Sequence, residues 1–216
     1  MIIAIDGPAG SGKSTTARLL AKKLDFIYLD TGAMYRAVTL FFLDNKIDLT
    51  NTDEVSSALN KINLKIENRS SSFNVFVQNA NVNNLIRDEL INKNVSNVSE
   101  IYSVRKKMVE IQREFSSNKD IVIEGRDIGS HVFPNADYKF YIEADINVRA
   151  SRRMKDLSNA NKSLDDMCKL LLERDKIDSN RNISPLLKPK DAYVVDTTSL
   201  SIEEQVIKLF NIITNN

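Results

Sequence analysis

The stretch Met1-Ile2-Ile3-Ala4-Ile5-Asp6-Gly7-Pro8-Ala9-Gly10-Ser11-Gly12-Lys13-Ser14-Thr15-Thr16-Ala17-Arg18-Leu19-Leu20-Ala21-Lys22-Lys23-Leu24 decides how this chain folds. Met1 to Asp6 is a short apolar run suited to a buried parallel strand. Thr15 to Leu24 carries the spacing of an amphipathic helix. Between them, Gly7 to Ser14 fits G-x-x-x-x-G-K-[ST], with the strand before and the helix after that this phosphate-binding loop requires. Its glycines let successive backbone N–H groups turn inward around a phosphate chain, and the helix N-terminus adds positive potential. Gly7, Pro8, Ala9, Gly10, Ser11, Gly12, Lys13, Ser14 and Thr15 are therefore the candidate contacts to a nucleoside triphosphate. Lys13 has the reach to meet the β- and γ-phosphates, and the Ser14 hydroxyl is a candidate ligand for Mg²⁺.

The rest of the composition narrows the class. With 216 residues, 42% of them hydrophobic, the chain can bury one full core and carry an insertion. Its 30 basic and 29 acidic residues leave a formal charge of +1, so no overall field favours a nucleic acid or a membrane surface. No apolar run is long enough to span a bilayer, and the start lacks the pattern of a secretory signal. Cys168 is the only cysteine, which excludes a disulfide framework and a cysteine zinc site. The expectation is a cytoplasmic monomer whose partners are small molecules.

Five segments read as buried parallel strands: Ile2–Asp6, Phe26–Asp30, Asp120–Glu124, Tyr138–Glu143 and Ala192–Asp196. Helical patterns lie near residues 13–24, 32–45, 84–93, 98–116, 145–157, 163–180 and 201–213, with Asp145 and Ser201 as N-caps. The alternation predicts an α/β fold with a doubly wound five-stranded parallel sheet. Residues 62–67 and 73–78 alternate apolar and polar around the polar turn Asn68–Ser72, which predicts a small antiparallel β insertion over about 60–84. Asn81–Asn83 would supply a third strand. The whole chain, 1–216, reads as one domain.

Chemistry-bearing residues gather where these strands end. Asp30-Thr31-Gly32-Ala33-Met34-Tyr35-Arg36 links the second strand to a helix, placing Arg36 where a second phosphoryl group would lie. Glu124-Gly125-Arg126-Asp127 follows the third strand; a carboxylate there suits a Mg²⁺-bound water, and Arg126 suits bidentate phosphate binding. Arg149, Arg152 and Arg153 share one helix face, as do Arg174, Asp178 and Arg181 on a later helix. Phosphoryl transfer runs through an anionic, metaphosphate-like state, so its catalysis is positioning and charge stabilisation, and arginines serve it without a nucleophile. His131 reads as a loop residue, and Cys168, among Met167, Leu170, Leu171 and Leu172, as packing.

Taken together, these motifs resemble the bacterial-type cytidylate kinases over roughly residues 1–213. The diagnostic pieces are Asp30–Arg36, Gly125-Arg126-Asp127-Ile128-Gly129 with Val132-Phe133-Pro134, Arg152-Arg153, and Glu173-Arg174-Asp175 leading to Ser184-Pro185-Leu186. The resemblance implies a P-loop kinase that moves the γ-phosphoryl group of ATP to CMP or dCMP, with Mg²⁺. It implies cytosine contacts at Ser96, Arg105 and Asp127, acceptor-phosphate contacts at Thr31, Arg36, Arg126 and Arg181, and sugar contacts at Arg174 and Asp178. Lys13, Arg126, Arg181 and Arg153 are then the catalytic set. A lid is implied over about 149–165, carrying Arg149 and Arg153. One departure stands out: the family pattern has aspartate where this chain has Glu124, and the extra methylene changes the reach of that carboxylate.

Base choice has its own physical logic. Cytosine presents an amino donor beside acceptor atoms, so a carboxylate and an arginine match it, whereas uracil would set a carbonyl against Asp127. The neighbouring alternatives are a uridylate or small-metabolite kinase and, in another class, a nucleotide-dependent switch. A guanine-reading Asn-Lys-x-Asp run after a strand is not found.

Overall fold

The computed structural model describes residues 1–69, 72–156 and 163–215. Its strands are β1 (Ile2–Asp6), β2 (Ile27–Asp30), β3 (Leu64–Arg69), β4 (Ser72–Val77), β5 (Ala80–Asn81), β6 (Ile121–Gly125), β7 (Tyr138–Glu143) and β8 (Tyr193–Asp196). The helices are α1 (Lys13–Leu24), α2 (Thr31–Asp44), α3 (Thr52–Lys61), α4 (Glu89–Glu100), α5 (Tyr102–Ser116), α6 (Ile146–Asp156), α7 (Leu164–Asn180) and α8 (Ile202–Thr214). They form two compact units, one of residues 1–28 with 118–216 and the other of residues 29–117.

The first unit is built on a parallel sheet ordered β2-β6-β1-β7-β8. β1 pairs with β6 from Ile2↔Ile121 to Asp6↔Gly125 and with β7 from Ile3↔Tyr138 to Asp6↔Tyr141. This register decides where the chemistry sits. Gly7 and Arg126 leave adjacent strands from paired positions, so the glycine loop and the Arg126–Asp127 turn emerge side by side at the carboxyl edge. Ile3, Ala4, Ile5, Ile121, Val122 and Ile123 are fully buried, as strands covered on both faces must be. α8 begins with a capping box in which Ser201 and Glu204 satisfy each other's backbone amides. Asp145 caps α6 by accepting from Asn147 N at 2.8 Å.

The second unit holds the antiparallel sheet β3-β4-β5 and helices α2 to α5. β3 and β4 pair from Leu64↔Val77 to Arg69↔Ser72, and the expected third strand is β5, pairing Phe76 with Asn81. Residues 70–71 of the expected turn lie outside the described residues. The five parallel strands and the insertion match the sequence expectation within a residue or two at their ends.

The helices of this unit depart from it in two places. α3 was not expected, although Asn51 caps it by accepting from Asp53 N and Glu54 N at 3.1 and 3.2 Å, and Val55, Ala58 and Leu59 give it a buried stripe. The helix expected at 84–93 is instead a 3₁₀ turn (Leu85–Arg87) followed by α4. The reason is Asp88, which accepts from Leu90 N at 2.8 Å and restarts the helix. α4 and α5 meet at Ile101, whose extended backbone ends one helix and opens the next.

Phe140 on β7 is 1% exposed and its ring lies 6.5 Å from that of Tyr138 and 5.7 Å from that of Tyr193. Phe140→Ala is expected to lower the unfolding free energy by about 3–5 kcal/mol, read from the midpoint shift of a urea titration at unchanged m.

Candidate functional site

The glycine loop is shaped by close backbone approach. Gly7 has φ +151°, and a Cβ there would lie 2.0 Å from the Ile142 carbonyl oxygen. Gly10, at φ +75°, lies under the Arg149 carbonyl, where a Cβ would come within 2.9 Å. Side chains at either position would push the loop off the sheet edge. Gly12 is the N-cap of α1 in the left-handed conformation, and Lys13 opens the helix. Lys13 is buried, and its Nζ donates to Pro8 O at 3.1 Å. Ser14 is exposed on the first turn, and the buried Ser11 Oγ has no hydrogen-bond partner among the described residues.

Distant segments brace the outer side of this loop, which local sequence patterns did not reveal. Arg149 donates to Ala9 O at 3.1 Å and pairs with Asp175 at 2.6 Å, and Asp175 in turn accepts from Ala9 N at 3.3 Å. Arg152 donates to Ser11 O and to the hydroxyl and carbonyl of Thr197, at 3.3, 3.0 and 2.7 Å. Thr197 Oγ1 also donates to Ser11 O at 2.9 Å, and Thr16 Oγ1 donates to Gln205 Oε1 at 2.8 Å. The shared helix face of Arg149 and Arg152 was legible from their spacing; that it packs on the loop was not. Arg153, on the same helix, is half-buried. Residues 157–162 of the expected lid lie outside the described residues.

Beside the loop, Asp178 of α7 joins two arginines. Its Oδ2 accepts from Arg126 Nε at 2.8 Å, and its Oδ1 accepts from Arg181 Nη2. Burial pushes the Asp178 carboxyl up, but Arg126, Arg181 and Arg174 outweigh it and hold the group below the usual carboxylate range. Burial likewise works against the Arg126 charge, and the facing Asp178 more than restores it. Arg174 is half-buried on the same helix. The i, i+4, i+7 spacing thus brings Arg174, Asp178 and Arg181 into one electrostatic cluster with Arg126.

Asp127 is buried and begins a π-helical turn (Ile128–Val132), its carbonyl accepting from His131 N at 2.9 Å and Val132 N at 3.1 Å. That turn, with His131 inside it, replaces the plain loop expected there. Asp6, which no sequence motif singled out, accepts from Ile128 N and Gly129 N, each at 2.8 Å. Burial raises its carboxyl to about 7, against the pull of those two amides, with Asp127 adding to the rise and Arg126 opposing it. Because this lies above the ordinary 3.8, the proton on Asp6 adds stability below about pH 4 that is lost as pH rises to about 7. Glu124 is 3% exposed and accepts from Tyr28 Oη at 3.3 Å. Cys168 packs against a cluster of Ala9, Ala150, Met167 and Leu171, as a structural cysteine does.

In the second unit, Asp30 caps α2 by accepting from Ala33 N at 2.9 Å, with Thr31 buried at the first position. Arg36, one turn on, donates through Nε and Nη2 to Asn92 Oδ1, both at 3.4 Å. Arg105 is 2% exposed, lies over the Tyr35 ring at 5.6 Å and donates to Ser99 O at 3.3 Å. Ser96 is buried on α4, one turn before Ser99. The candidate acceptor residues of this unit are therefore gathered by α2, α4 and α5.

Among the described residues, no group of three or more His, Cys, Asp or Glu side chains is placed to hold a metal ion, and no helix is long and apolar enough to cross a membrane.

Asp178→Asn keeps the shape of the side chain but leaves Arg126 and Arg181 facing a neutral amide. It is expected to cost about 3–5 kcal/mol of unfolding free energy at pH 7. Since the carboxyl is held below its ordinary value, the wild-type advantage is present above about pH 4 and fades as the medium becomes more acidic. Urea titrations of both proteins across that range measure it.

A family model described as cytidylate kinase matches residues 3–215. A protein of Cytophaga hutchinsonii named cytidylate kinase is 44% identical over 216 residues, covering 98% of this chain and 92% of its own length. One of Carboxydothermus hydrogenoformans with the same name is 45% identical over 215 residues, covering 99% and 97%. Among solved structures, a shikimate kinase of Bacteroides thetaiotaomicron superposes with a TM-score of 0.52 at 12% identity, covering 99% of this chain and 98% of that one. That likeness is one of fold.

Proposed function

The chain belongs to the cytidylate kinase family, and we propose that it transfers the γ-phosphoryl group of ATP to CMP or dCMP, giving ADP and CDP or dCDP in pyrimidine nucleotide metabolism. The observation that carries this reading is the phosphate loop at Gly7–Ser14 emerging beside a buried arginine–carboxylate cluster, in a chain that the family model matches over residues 3–215. It is a phosphotransferase that acts on a nucleoside monophosphate.

The donor side is the loop Gly7–Thr15. Its inward amides and Lys13 take the β- and γ-phosphates, and the orphaned Ser11 hydroxyl suits a ligand oxygen. Ser14 fits Mg²⁺, a cation that takes few protein ligands and completes its shell with phosphate oxygens and water. When bound, Mg²⁺ neutralises charge that builds on the phosphates during transfer.

On the acceptor side, we assign cytosine reading to Ser96, Arg105 and Asp127, and phosphate binding to Thr31, Arg36, Arg126 and Arg181. Arg174 and Asp178 are assigned to the sugar. Asp178 can serve while paired with arginines, since each carboxylate oxygen has a second lone pair. Arg126, Arg181 and Arg153 stabilise the transferred group, and the attacking phosphate oxygen of CMP meets it in line, without a covalent protein intermediate. The lid assigned to about 149–165 excludes water during transfer and so protects ATP from hydrolysis. The enzyme is expected to act as a cytoplasmic monomer without nucleic-acid or membrane partners.

Lys13→Ala is expected to abolish ADP formation in a coupled assay with ATP and CMP; full activity would refute the loop mechanism. A panel of nucleoside monophosphates is expected to show CMP and dCMP used well and UMP poorly. Asp127→Ala should reduce the preference for CMP over UMP by about a hundredfold, measured as the ratio of kcat/KM.

A further inference from the structure

Asp6 is buried at the end of β1, and no step above uses it. Its place in the sheet gives it an unusual hold on the turn that follows β6. The backbone of Asp6 is paired with Gly125, the residue before Arg126. Its side chain accepts from the amides of Ile128 through Oδ1 and Gly129 through Oδ2, immediately after Asp127. Arg126 and Asp127 thus form a two-residue span fixed at both ends to one residue. Both hydrogen bonds are 2.8 Å long, and Gly129 lies beside the Lys139 stem, where a Cβ would be 3.2 Å from it.

We propose that Asp6 is a positioning residue for acceptor recognition, its two carboxylate oxygens holding the Ile128 and Gly129 amides so that Arg126 and Asp127 meet the acceptor nucleotide in one geometry. The inference rests on the assignment of Asp127 as a reader of the base. Each amide takes a different carboxylate oxygen, and an amide side chain in the same orientation would turn its NH₂ group toward one of the two N–H donors. Residue 6 also leads directly into Gly7, so the residue that holds the Arg126–Asp127 span is the one from which the donor loop departs.

Burial is the main influence on the Asp6 charge, with the Gly129 and Ile128 amides opposing it. Arg126 and Asp127 face it from the turn, and Tyr141 and Lys139 from β7, with Lys139 paired to Asp191 at 2.6 Å. Its carboxyl titrates near 7, so it is mostly ionised at pH 8 and mostly protonated at pH 6. The protonated form presents one donor and loses its hold on one of the two amides. Base discrimination then weakens on the acid side. The second ionisation of the acceptor phosphate, near 6, falls in the same range but is common to CMP and UMP and cancels in their ratio.

The test compares purified wild type, Asp6→Asn and Asp127→Asn in steady-state assays with CMP, UMP and ATP. Asp6→Asn is expected to raise KM for CMP about tenfold, the effect of losing one hydrogen bond to a charged acceptor, and to lower the CMP:UMP ratio of kcat/KM. KM for ATP should stay unchanged. An unaltered ratio in Asp6→Asn, or equal losses toward ATP and CMP, overturns the proposal. Asp127→Asn separates the two assignments: an unaltered ratio there refutes Asp127 as base reader and Asp6 with it. A lowered ratio in Asp127→Asn with an unaltered one in Asp6→Asn refutes Asp6 alone. If Asp6→Asn does not fold, the wild-type ratio decides, expected to be several-fold lower at pH 6 than at pH 8; a flat ratio overturns the proposal.

Discussion

At Gly7 the backbone passes so close to β7 that a side chain would lie 2.0 Å from the Ile142 carbonyl oxygen. This contact brings the chain off β1 and around the phosphate loop while still touching the sheet. Several loop carbonyls have protein donors, some within the loop and α1 and some from distant segments. Pro8 O accepts from Lys13, Ala9 O from Arg149, Ser11 O from Thr197 and Arg152, and Gly12 O from Thr16 N. With these four acceptors engaged by protein donors, fewer carbonyls are left to oppose the loop amides. That is the electrostatic condition for binding a polyphosphate, and it follows from satisfying buried backbone groups rather than from any single basic side chain.

The same edge of the sheet concentrates buried charge, which is costly unless paired. Arg126, Arg181 and Asp178 answer that cost with a shared carboxylate that engages each arginine through a different oxygen. Such a pairing contributes little net stability compared with apolar packing. It fixes the direction of two guanidinium groups before any substrate arrives. On the proposed assignment of Arg126 and Arg181 to the acceptor phosphate, orientation fixed in advance would serve a reaction whose barrier is mainly one of placing like charges together.

The sequence showed much of this because the phosphate loop obeys a local rule. Glycines at Gly7 and Gly12 and the apolar run before them identify the turn, and the short apolar runs identify the buried strands, whereas their order and register came only with the structure. Alternation at 62–67 and 73–78 marked the antiparallel sheet for the same reason. The braces around the loop were not legible, since Asp175, Thr197 and Gln205 lie far along the chain from Ala9, Ser11 and Thr16, and their pairing reflects tertiary packing with no period to read. α3 was missed although its Asn51 cap and acidic first turn were present; its mean polarity hid a narrow apolar stripe. Ser96 and Arg105 came from family resemblance alone, for a buried serine and a buried arginine inside amphipathic helices look locally like any others.

Glu124, where the family resemblance leads one to expect an aspartate, shows how a longer buried acid is accommodated. The longer side chain would be a liability if the buried carboxylate simply pushed one methylene further into the position an aspartate occupies. Instead its Oε1 accepts from Tyr28 Oη at 3.3 Å, a hydroxyl carried on β2. The carboxylate also lies within electrostatic range of Arg126, where it helps hold that guanidinium charged. A hydroxyl donor and a cation on the same buried group give the extra length a place to go. Tyr28 and Glu124 thus act as one buried polar unit, the tyrosine hydroxyl satisfying part of the carboxylate.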